Sequence, residues 1–469
     1  MCSQGAVGKS APVGGALPGG QIPAHDSWRQ LLGKDRAGEK FLKRPACYKV
    51  LGRLARYLDR TWDFTHLVSG LKDTRQYCQF PTSAVFLSVF GMMAQRLGSL
   101  NELEEQLRLP RRWDAWTGPK KPSADTIGYC LERIVLDGLR NFSDAIAQRF
   151  KRKKALKRLY PDIHWVGALD GIETYKSRSL CCGKCLKRNL GTDQEPDIEY
   201  YHRYVYLQLV GVTPAVILEI EPLEPGDTEV TAALRLLDRF HGRCPRFLDA
   251  LTADAFYLQA PFALKVLAMG YYLVVVLKQE NRDLYQDVEG LLKVTEPQEG
   301  PKTAESQTTL WDFNGLTSWE SLGRPVRVVR ELKTQKVTEV IGGQKQEREF
   351  QEDWRWAALT PNGKAQPHLE LIARWGHARW DEETRGFGEL TQHWHLDHNY
   401  HHHPVAMLAF LWILSLTFSL TTVFFQRSLK AAMRKGKTRL HLARLLADDL
   451  ARGLAGSFWP SPPWLAQPP

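Results

Sequence analysis

Strands and helices follow one another in a distinctive order after position 163, and this order limits the folds open to the chain. Three short β-rich runs come first, "HWVGALD", "YHRYVYLQLVGV" and "AVILEIEPL", separated by turn residues. The helical "GDTEVTAALRLLDRF" then precedes the strand-like "RFLDALTAD", the helical "AFYLQAPFALKVLAMG" and the strand-like "YYLVVVLKQ". Three successive strands before the alternation predict an α/β fold with a mixed sheet flanked by helices, rather than a doubly wound parallel sheet.

The 469 residues are enough for two or three domains, and the remaining segments divide around this sheet. The predicted divisions are a disordered tail at 1–26, a helical region at 27–160, the first part of the sheet domain at 161–282, a β-rich insertion at 283–370, a helical completion of that domain at 371–450 and a Pro-rich tail without regular structure at 451–469.

Local signals place two helix starts. Ser123 is a candidate N-cap for "ADTIGYCLERIVLDGLRNFSDAIAQRF", which reads as one long helix with Val135 on its apolar face. Asp227 or Thr228 can cap the helix that follows the third strand.

Net charge and cysteine content indicate the kind of partner and the cellular compartment to expect. The net charge is +11 and the pI is near 9.2, which suits a polyanionic partner such as nucleic acid or a membrane surface. Eight cysteines in this length, three of them between positions 181 and 185, argue against a disulfide framework. The first twenty residues lack the apolar core of a signal peptide, so we expect a reducing intracellular compartment.

The uncharged run "AMLAFLWILSLTFSLTTVFF" at 406–425 has two possible interpretations. It reaches the ~20 residues needed to span a bilayer. A fully buried core helix would have the same composition. Because the run stands alone and carries several serines and threonines, we expect a core helix and no membrane partner.

Two strand-like runs end on an aspartate, "GALD" at Asp170 and "LTAD" at Asp254. Ligands in sheet proteins gather where strands end, because side chains there face an open crevice. The alternative is the ordinary preference of aspartate for turns. Two such residues in one sheet favour a shared site without excluding that alternative.

A third carboxylate lies in "ARWDEETRGFGELTQHW". Plotted as an α-helix, Glu383 shares a face with Phe387, Leu390 and Trp394. Glu382 points about 100° away from it and is expected at the surface. A carboxylate on a buried face is costly unless a cation or a donor pairs with it.

Two partners could meet this need. Arg379, four residues before Glu383, could form a structural salt bridge. Alternatively, Glu383 could share a metal with Asp170 and Asp254. Carboxylate oxygens suit Mg²⁺ or Mn²⁺, and two such ions ~4 Å apart would support phosphoryl transfer.

The "DG" after a strand, the "TAD" before a helix and the "RW..E...F..L" helix together resemble the DDE insertion-sequence transposases, which have an RNase H-like catalytic core. The similarity is closest to the class with a Tyr-Arg-Glu-Lys signature. The stretches "YYHRYVYLQLVG", "GDTEVTAALRLL" and "VVVLKQENRDLYQD" extend it over most of residues 120–425. Two positions depart: the signature tyrosine falls on Gly376 and the signature lysine on Leu390.

This resemblance implies a function. Asp170, Asp254 and Glu383 would be catalytic ligands of Mg²⁺ or Mn²⁺. The DNA-binding residues would be Arg379, Lys184, Lys187, Arg188 and Lys278. The implied enzyme cuts DNA at the transposon terminal inverted repeats and joins the 3′-hydroxyls to target DNA.

The same resemblance implies the enzyme's setting. It would act as a homodimer, with the N-terminal helical region on the repeats, in the cytoplasm and associated with the nucleoid. A catalytically inactive DNA-binding protein of transposase descent is the alternative.

The cysteines and histidines offer competing metal sites. Cys182 and Cys185 have the spacing of a zinc half-site, with Cys181 as a spare and His202 as a third ligand. Structural zinc needs four ligands and no second CxxC exists, so we expect a local loop rather than zinc.

The segment "HWHLDHNYHHHP" contains two further candidate pairs. His395 with His398, and His398 with His402, have helical spacing. We expect instead that these histidines line a DNA groove or close a helix end before Pro404.

Overall fold

The structure is a computed structural model, and all of its described residues belong to one compact unit, Lys49–Pro469. It describes residues 50–76, 78–160, 164–278, 282–303, 305–341, 344–451, 457–459 and 462–465. The predicted tail at 1–26, the start of the predicted helical region at 27–49 and much of the C-terminal tail lie outside these ranges.

The described residues before position 153 are helical. Their helices are α1 (Val50–Trp62), α2 (Phe64–Ser69), α3 (Thr82–Gln95), α4 (Leu100–Arg108), α5 (Asp114–Thr117), α6 (Ala124–Leu131) and α7 (Leu136–Arg152). Apolar faces of these helices bury large aromatic side chains in a common core, including Trp62, Phe64, Phe86 and Phe90.

Ser123 caps α6 as predicted, because its hydroxyl accepts a hydrogen bond from the Thr126 amide at 3.2 Å. The single long helix expected here is wrong. The chain leaves helical geometry after Leu131 and restarts at Leu136, so Val135 is 40% exposed rather than buried.

The strands form one large mixed sheet and a small two-stranded one. The strands are β1 (Lys157–Arg158), β2 (Val166–Ser177), β3 (Leu186–Asn189), β4 (Ile198–Val210), β5 (Val212–Thr213), β6 (Val216–Pro222), β7 (Ala250–Ala253), β8 (Tyr272–Val276), β9 (Gln298–Lys302), β10 (Ser306–Leu316), β11 (Val326–Ile341) and β12 (Gln344–Leu359). Between them lie α8 (Glu229–Arg243), α9 (Ala260–Ala268) and α10 (Asp283–Leu291).

In the large sheet the strand order is β3-β4-β2-β7-β8-β12-β11-β10-β9, and β6 also pairs with β4. β2, β7 and β8 are parallel, whereas β4 and β12 run antiparallel to their neighbours in this central group. This confirms the predicted mixed sheet flanked by helices. Thr228, one of the two predicted caps, begins α8 by accepting from the Thr231 amide at 3.1 Å.

The segment predicted as a β-rich insertion, 283–370, is continuous with this sheet. β12 pairs antiparallel with β8, with Trp356 opposite Val276 and Leu359 opposite Leu273. The strands β9 to β12 therefore extend one edge of the main sheet instead of forming a separate one.

Helices return after β12. They are α11 (Leu369–Ala378), a π-helical segment (Glu382–Phe387), α12 (Gly388–Trp394), α13 (Pro404–Val423), a second π-helical segment (Phe424–Ser428), α14 (Ala431–Arg434) and α15 (Arg439–Ala451).

α13 holds the uncharged run and lies in the core. Among the described residues, Pro404–Ser428 is the one straight helix long and apolar enough to cross a membrane, and 94% of its apolar window is buried inside the fold. It packs against α3, α7 and β6. The hydroxyls of Ser415 and Thr417 donate to carbonyls one turn back, both at 2.7 Å, so they are satisfied without water. These contacts support the core-helix interpretation over the membrane span.

The described parts of the C-terminal tail are ordered against the N-terminal helices, contrary to the expectation of no regular structure. The indole Nε1 of Trp459 donates to the Trp116 carbonyl at 2.9 Å, and its ring stacks on Phe64. Pro463–Leu465 forms a 3₁₀ turn whose Pro463 carbonyl accepts from Ser83 at 3.1 Å.

Asp73 connects the loop after α2 with α3. Its carboxylate accepts two hydrogen bonds from the Arg75 guanidinium, at 2.9 and 2.8 Å, one from the Arg75 amide at 3.0 Å and one from the Thr82 hydroxyl. Burial by itself raises the pKa of this carboxyl. The Arg75 and Thr82 hydrogen bonds outweigh burial and lower the pKa to about 2.

We predict that Asp73→Asn destabilises the protein by roughly 2 kcal/mol at pH 7, at about 1.4 kcal/mol per pKa unit. Because the folded pKa lies below the unfolded value, the ionised carboxylate stabilises the fold above about pH 4. That contribution is lost as the pH falls towards 2, so the difference between parent and variant should shrink there. Urea unfolding at pH 7 and pH 3 measures both effects.

Asp137→Asn is the matched control, because that carboxylate is 73% exposed and pairs only with Arg140 on the same helix. Its effect should stay within about 0.5 kcal/mol. An Asp73→Asn penalty that is equal at both pH values would contradict the prediction.

Candidate functional site

The parallel pairing of β2 with β7 brings two predicted site residues to neighbouring positions. Its last paired residues are Leu169 and Ala253, and the next residue on each strand is an aspartate, Asp170 or Asp254. Asp254 ends β7 as expected and caps the following 3₁₀ turn by accepting from the Phe256 amide at 2.9 Å.

Asp170 does not end its strand as expected. β2 continues to Ser177 because beyond Asp170 it still pairs with β4, although its pairing with β7 has stopped. The strand therefore loses one neighbour at this point, and the open edge is the one next to Asp254.

The carboxyl of Asp170 is held in a poorly solvated place. Burial raises its pKa to about 6, and the charges of Glu229 and Asp254 add to this rise. The Gly171 amide, which donates to Oδ1 at 2.8 Å, and the charge of Arg379 act in the opposite direction. Such a perturbed carboxyl, with several acids around it, is typical of functional sites.

The helical-face interpretation of the two glutamates is wrong. Glu382 is fully buried, whereas the side chain of Glu383 is 47% exposed. The cause is the π-helical segment, where hydrogen bonds join residues five apart instead of four. Glu382, five residues before Phe387, therefore takes the inward position that α-helical spacing assigned to Glu383.

Glu382 is the most unusual acid of the site. Within the described residues, neither of its carboxylate oxygens has a hydrogen-bond partner. Burial, together with the charge of Asp170, raises its pKa well above the ordinary range. An ionised carboxylate in this position needs a nearby cation, and without one it keeps its proton.

Arg379 lies between two of the acids. Its Nη1 donates to Glu383 Oε1 at 2.7 Å and is 3.9 Å from Asp170 Oδ2, and the residue is 5% exposed. The salt bridge that competed with a metal in the sequence interpretation is thus formed. Because Arg379 is buried, its guanidinium contacts the acids of the site and has little contact with solvent.

Glu229 is a member of the site that sequence reasoning did not identify. It starts α8, is buried, accepts from the Tyr257 hydroxyl at 2.9 Å and forms an ion pair with Arg203. Gly171 leaves room for this pair, since a Cβ there would lie 2.3 Å from Glu229 Oε2. The glycine of the "DG" was the one available signal in the sequence for this contact. A glycine in a strand indicates that another group packs closely against the backbone, but it does not identify that group.

The two departures from the Tyr-Arg-Glu-Lys signature have a packing explanation. A Cβ at Gly376 would lie 2.3 Å from the Trp356 indole, so this indole occupies the space of a larger side chain. Leu390 is fully buried in the apolar core, where a lysine would be costly.

The predicted DNA-binding lysines and arginine lie in two places. Lys184, Lys187 and Arg188 belong to the segment that joins β2 to β4. Of these, Lys184 pairs with Glu224 at 2.8 Å, and Arg188 donates to Glu173 and Glu199 at 3.0 and 2.7 Å.

Lys278 is exposed and follows β8. Ala253 of β7 pairs with Val275 of β8, so Lys278 and Asp254 both follow the carboxyl ends of these parallel strands. This end of the central strands therefore carries Asp170, Asp254 and a cationic side chain.

The acids of this site are not gathered as tightly as one ion requires. In the part of the chain that the structure describes, the only group of three or more ligand atoms within 4.8 Å of one another is formed by Cys182, Cys185, His202 and His402. Two ions ~4 Å apart can be held by oxygens that lie farther apart than those around a single ion. Even so, the carboxylate side chains would have to rotate to reach such a pair of ions.

The helical spacing considered for the pairs His395 with His398 and His398 with His402 is not present in the structure. α12 ends at Trp394, and His395 has the left-handed φ of 56°, so the segment up to His402 is not a helix. His402 instead joins Cys182 and Cys185, which the sequence placed in a separate loop.

Comparison with known proteins gives a sparse result. No family model matches the chain, and no curated protein matches it. Among solved structures, a cryo-EM structure of a piggyBac transposase synaptic complex with hairpin DNA is similar at 9% sequence identity, over 86% of this chain and 79% of that chain, with a TM-score of 0.39.

We predict that Gly171→Ala lowers stability by roughly 1–3 kcal/mol, because the methyl group would displace Glu229 from Arg203 and Tyr257 inside a packed region. Thermal or urea unfolding measures the loss. Gly242→Ala in α8 is the control: nothing lies within 4 Å of its Cβ position, and alanine favours helix, so stability should stay equal or rise. Equal effects of the two substitutions would refute the close-approach argument.

Proposed function

We propose that this protein is a DNA transposase of the DDE type with an RNase H-like core. It would cut DNA at the ends of its element and join the 3′-hydroxyls to target DNA by two-metal-ion phosphoryl transfer. The observation that carries the proposal is the placement of Asp170 and Asp254 directly after the last paired residues of β2 and β7, with the carboxyl of Asp170 buried among other acids. The sequence resemblance supports the same chemistry.

The site offers carboxylate oxygens, the donors that a divalent cation prefers, and side-chain rotation would bring them onto the ions. Asp170 and Glu382 carry raised pKa values because their carboxyls are buried next to other acids, and a bound cation would relieve both costs. Asp170, Asp254 and Glu383 would hold Mg²⁺ or Mn²⁺. When bound, the ions supply activation of the attacking oxygen and charge stabilisation for the leaving oxygen.

We assign the third ligand to Glu383 rather than to Glu382. Glu383 is half exposed, so its carboxylate can reach ions and DNA at the surface of the site. Glu382 would act from inside, as a buried carboxyl that adds negative potential to the site once its proton leaves. The assignment requires Glu383 to release Arg379, which frees the guanidinium to hold a DNA phosphate.

The remaining site residues would hold the other side chains and the DNA in place and would not take part in the reaction. The ion pair of Glu229 with Arg203, and its hydrogen bond from Tyr257, fix the wall of the site beside Gly171. Lys184, Lys187, Arg188 and Lys278 would contact the DNA backbone, which places the phosphates without reading sequence.

The wider setting belongs to the proposal too. The protein would work as a homodimer on paired ends, with the N-terminal helices on the terminal repeats, as a cytoplasmic protein associated with the nucleoid.

A second candidate is a DNA-binding protein of transposase descent that has lost catalysis. It is favoured by the two missing signature side chains, at Gly376 and Leu390, and by the Arg379–Glu383 salt bridge, which occupies both groups. This candidate predicts end binding without cleavage, whereas the first predicts both.

We predict that Asp170→Asn, Asp254→Asn and Glu383→Gln each reduce Mg²⁺-dependent cleavage of DNA carrying the element's ends by more than about 100-fold, because each removes a metal ligand. Binding to the same DNA should change by less than about tenfold. Glu382→Gln should keep cleavage within about tenfold of the parent. Gel assays of cleavage and binding give the two measurements.

Asp193→Asn, an exposed aspartate in the loop before β4, is the control and should cleave normally. If Glu382→Gln loses cleavage while Glu383→Gln keeps it, the third ligand is Glu382. If the parent binds the ends but never cleaves them with Mg²⁺ or Mn²⁺, the inactive protein is the correct description.

We predict that Lys278→Ala and Lys187→Ala each weaken end binding and reduce the slope of log affinity against log salt by about 1, because each removes one phosphate contact. Arg379→Ala should weaken binding in the same way. Lys265→Ala is the control, because that lysine pairs with Asp238 on a flanking helix and should leave the slope unchanged. An unchanged affinity and slope for Arg379→Ala would remove it from the DNA interface.

A further inference from the structure

Two cysteines and two histidines that lie far apart in the sequence converge at one end of the sheet. The sulfurs of Cys182 and Cys185 are 3.7 Å apart, and His202 Nε2 lies 3.5 and 3.2 Å from them. His402 Nε2 is 3.4 Å from Cys185 Sγ and 3.2 Å from His202 Nε2. All four potential ligand atoms lie within 4.8 Å of one another.

These distances match a tetrahedral metal site. With Zn–S near 2.3 Å and Zn–N near 2.05 Å, a tetrahedron separates two sulfurs by about 3.8 Å, sulfur from nitrogen by about 3.6 Å and two nitrogens by about 3.3 Å. The corresponding separations in the structure are 3.7 Å, 3.2 to 3.5 Å and 3.2 Å, and the sixth separation, from Cys182 Sγ to His402 Nε2, is within 4.8 Å. The side chains are thus already arranged around a common centre.

The fold supplies the four ligands from three separate elements. Cys182 and Cys185 lie on a turn between β2 and β3, in which the Cys185 amide donates to the Cys182 carbonyl at 3.1 Å. The Cys182 amide donates to Cys185 Sγ at 3.2 Å, which holds the two cysteines together in this turn. His202 comes from β4, and His402 immediately precedes the N-cap of α13.

Burial distinguishes this cluster from an accidental surface group. Cys185 is 4% exposed and His202 is 3% exposed, and the ring of Tyr175 packs on His402 with centroids 4.3 Å apart. Two cysteine sulfurs and two imidazole nitrogens form a Cys₂His₂ set, one of the donor sets of structural zinc sites.

We propose that Cys182, Cys185, His202 and His402 bind one zinc ion. The site is structural, because four protein ligands fill the tetrahedron and leave no open position for a substrate. It ties the turn between β2 and β3 to β4 and to the start of α13, the buried core helix. It also fixes the base of the segment that carries Lys184, Lys187 and Arg188. The proposal does not depend on transposase activity.

Metal analysis of the purified full-length protein tests the proposal. Elemental mass spectrometry should find one zinc per chain, and Cys185→Ser and His402→Asn should each lose most of it. Cys181→Ser is the matched control, because that cysteine is exposed and next to the ligands in sequence, yet lies outside the cluster. Its zinc content should equal that of the parent protein.

Two measurements on the parent protein keep the test decisive if the variants fail to fold. Replacing zinc by Co²⁺ should give the visible absorption bands of a tetrahedral site with thiolate ligands. Titration of the folded protein with a thiol reagent should reveal two additional reactive thiols after a chelator is added.

Three results would overturn the proposal. The first is a parent protein that binds neither zinc nor Co²⁺ when both are supplied. The second is an equal loss of zinc in Cys181→Ser and Cys185→Ser. The third is a disulfide between Cys182 and Cys185 in the freshly purified protein, which would use the ligands in a bond of about 2.05 Å instead.

Discussion

The parallel pairing of β2 with β7 is the constraint on which the candidate site depends. Its register aligns Leu169 with Ala253, so the next residues, Asp170 and Asp254, leave the pairing side by side. β2 stays in the sheet through β4 while β7 turns into a 3₁₀ helix, and the gap between them exposes both carboxyls to one space. Helix α8 then adds Glu229, and the π-helical segment adds Glu382 and Glu383, around this gap.

Burial of negative charge gives the site its chemical character. Asp170 and Glu382 lie near one another with raised pKa values, and among the described residues Glu382 has no donor at all. Packed cores seldom contain such an arrangement, because an unpaired buried carboxylate costs several kcal/mol, and substitution by an apolar residue would avoid that cost. Arg379 supplies positive charge to this group of acids, because it donates to Glu383 and lies 3.9 Å from Asp170.

Local sequence patterns predicted which segments form helices and strands better than they predicted which face of a helix each residue occupies. The order of strands and helices along the chain, a cap at Asp227 or Thr228 and the buried α13 follow from periodicity and composition over short windows. Glu382 and Glu383 were exchanged because a single π-helical turn shifts the face of every residue before it, and no residue pattern announces such a turn. The long helix expected after Ser123 failed for a similar reason, since its break at Glu132 follows tertiary contacts such as the bridge between Asp73 and Ile134.

The sequence by itself determined the mixed sheet with its flanking helices and Asp254 at the end of a central strand, since these depend on neighbouring residues along the chain. Only the tertiary structure decided which glutamate is buried, that Glu229 belongs to the site, and that His402 meets Cys185 across 217 positions. Such contacts follow from strand register and helix packing, which bring together residues whose separation in sequence carries no signal. The physical reason is that periodicity reports the face a residue presents, whereas packing alone selects the partner it meets.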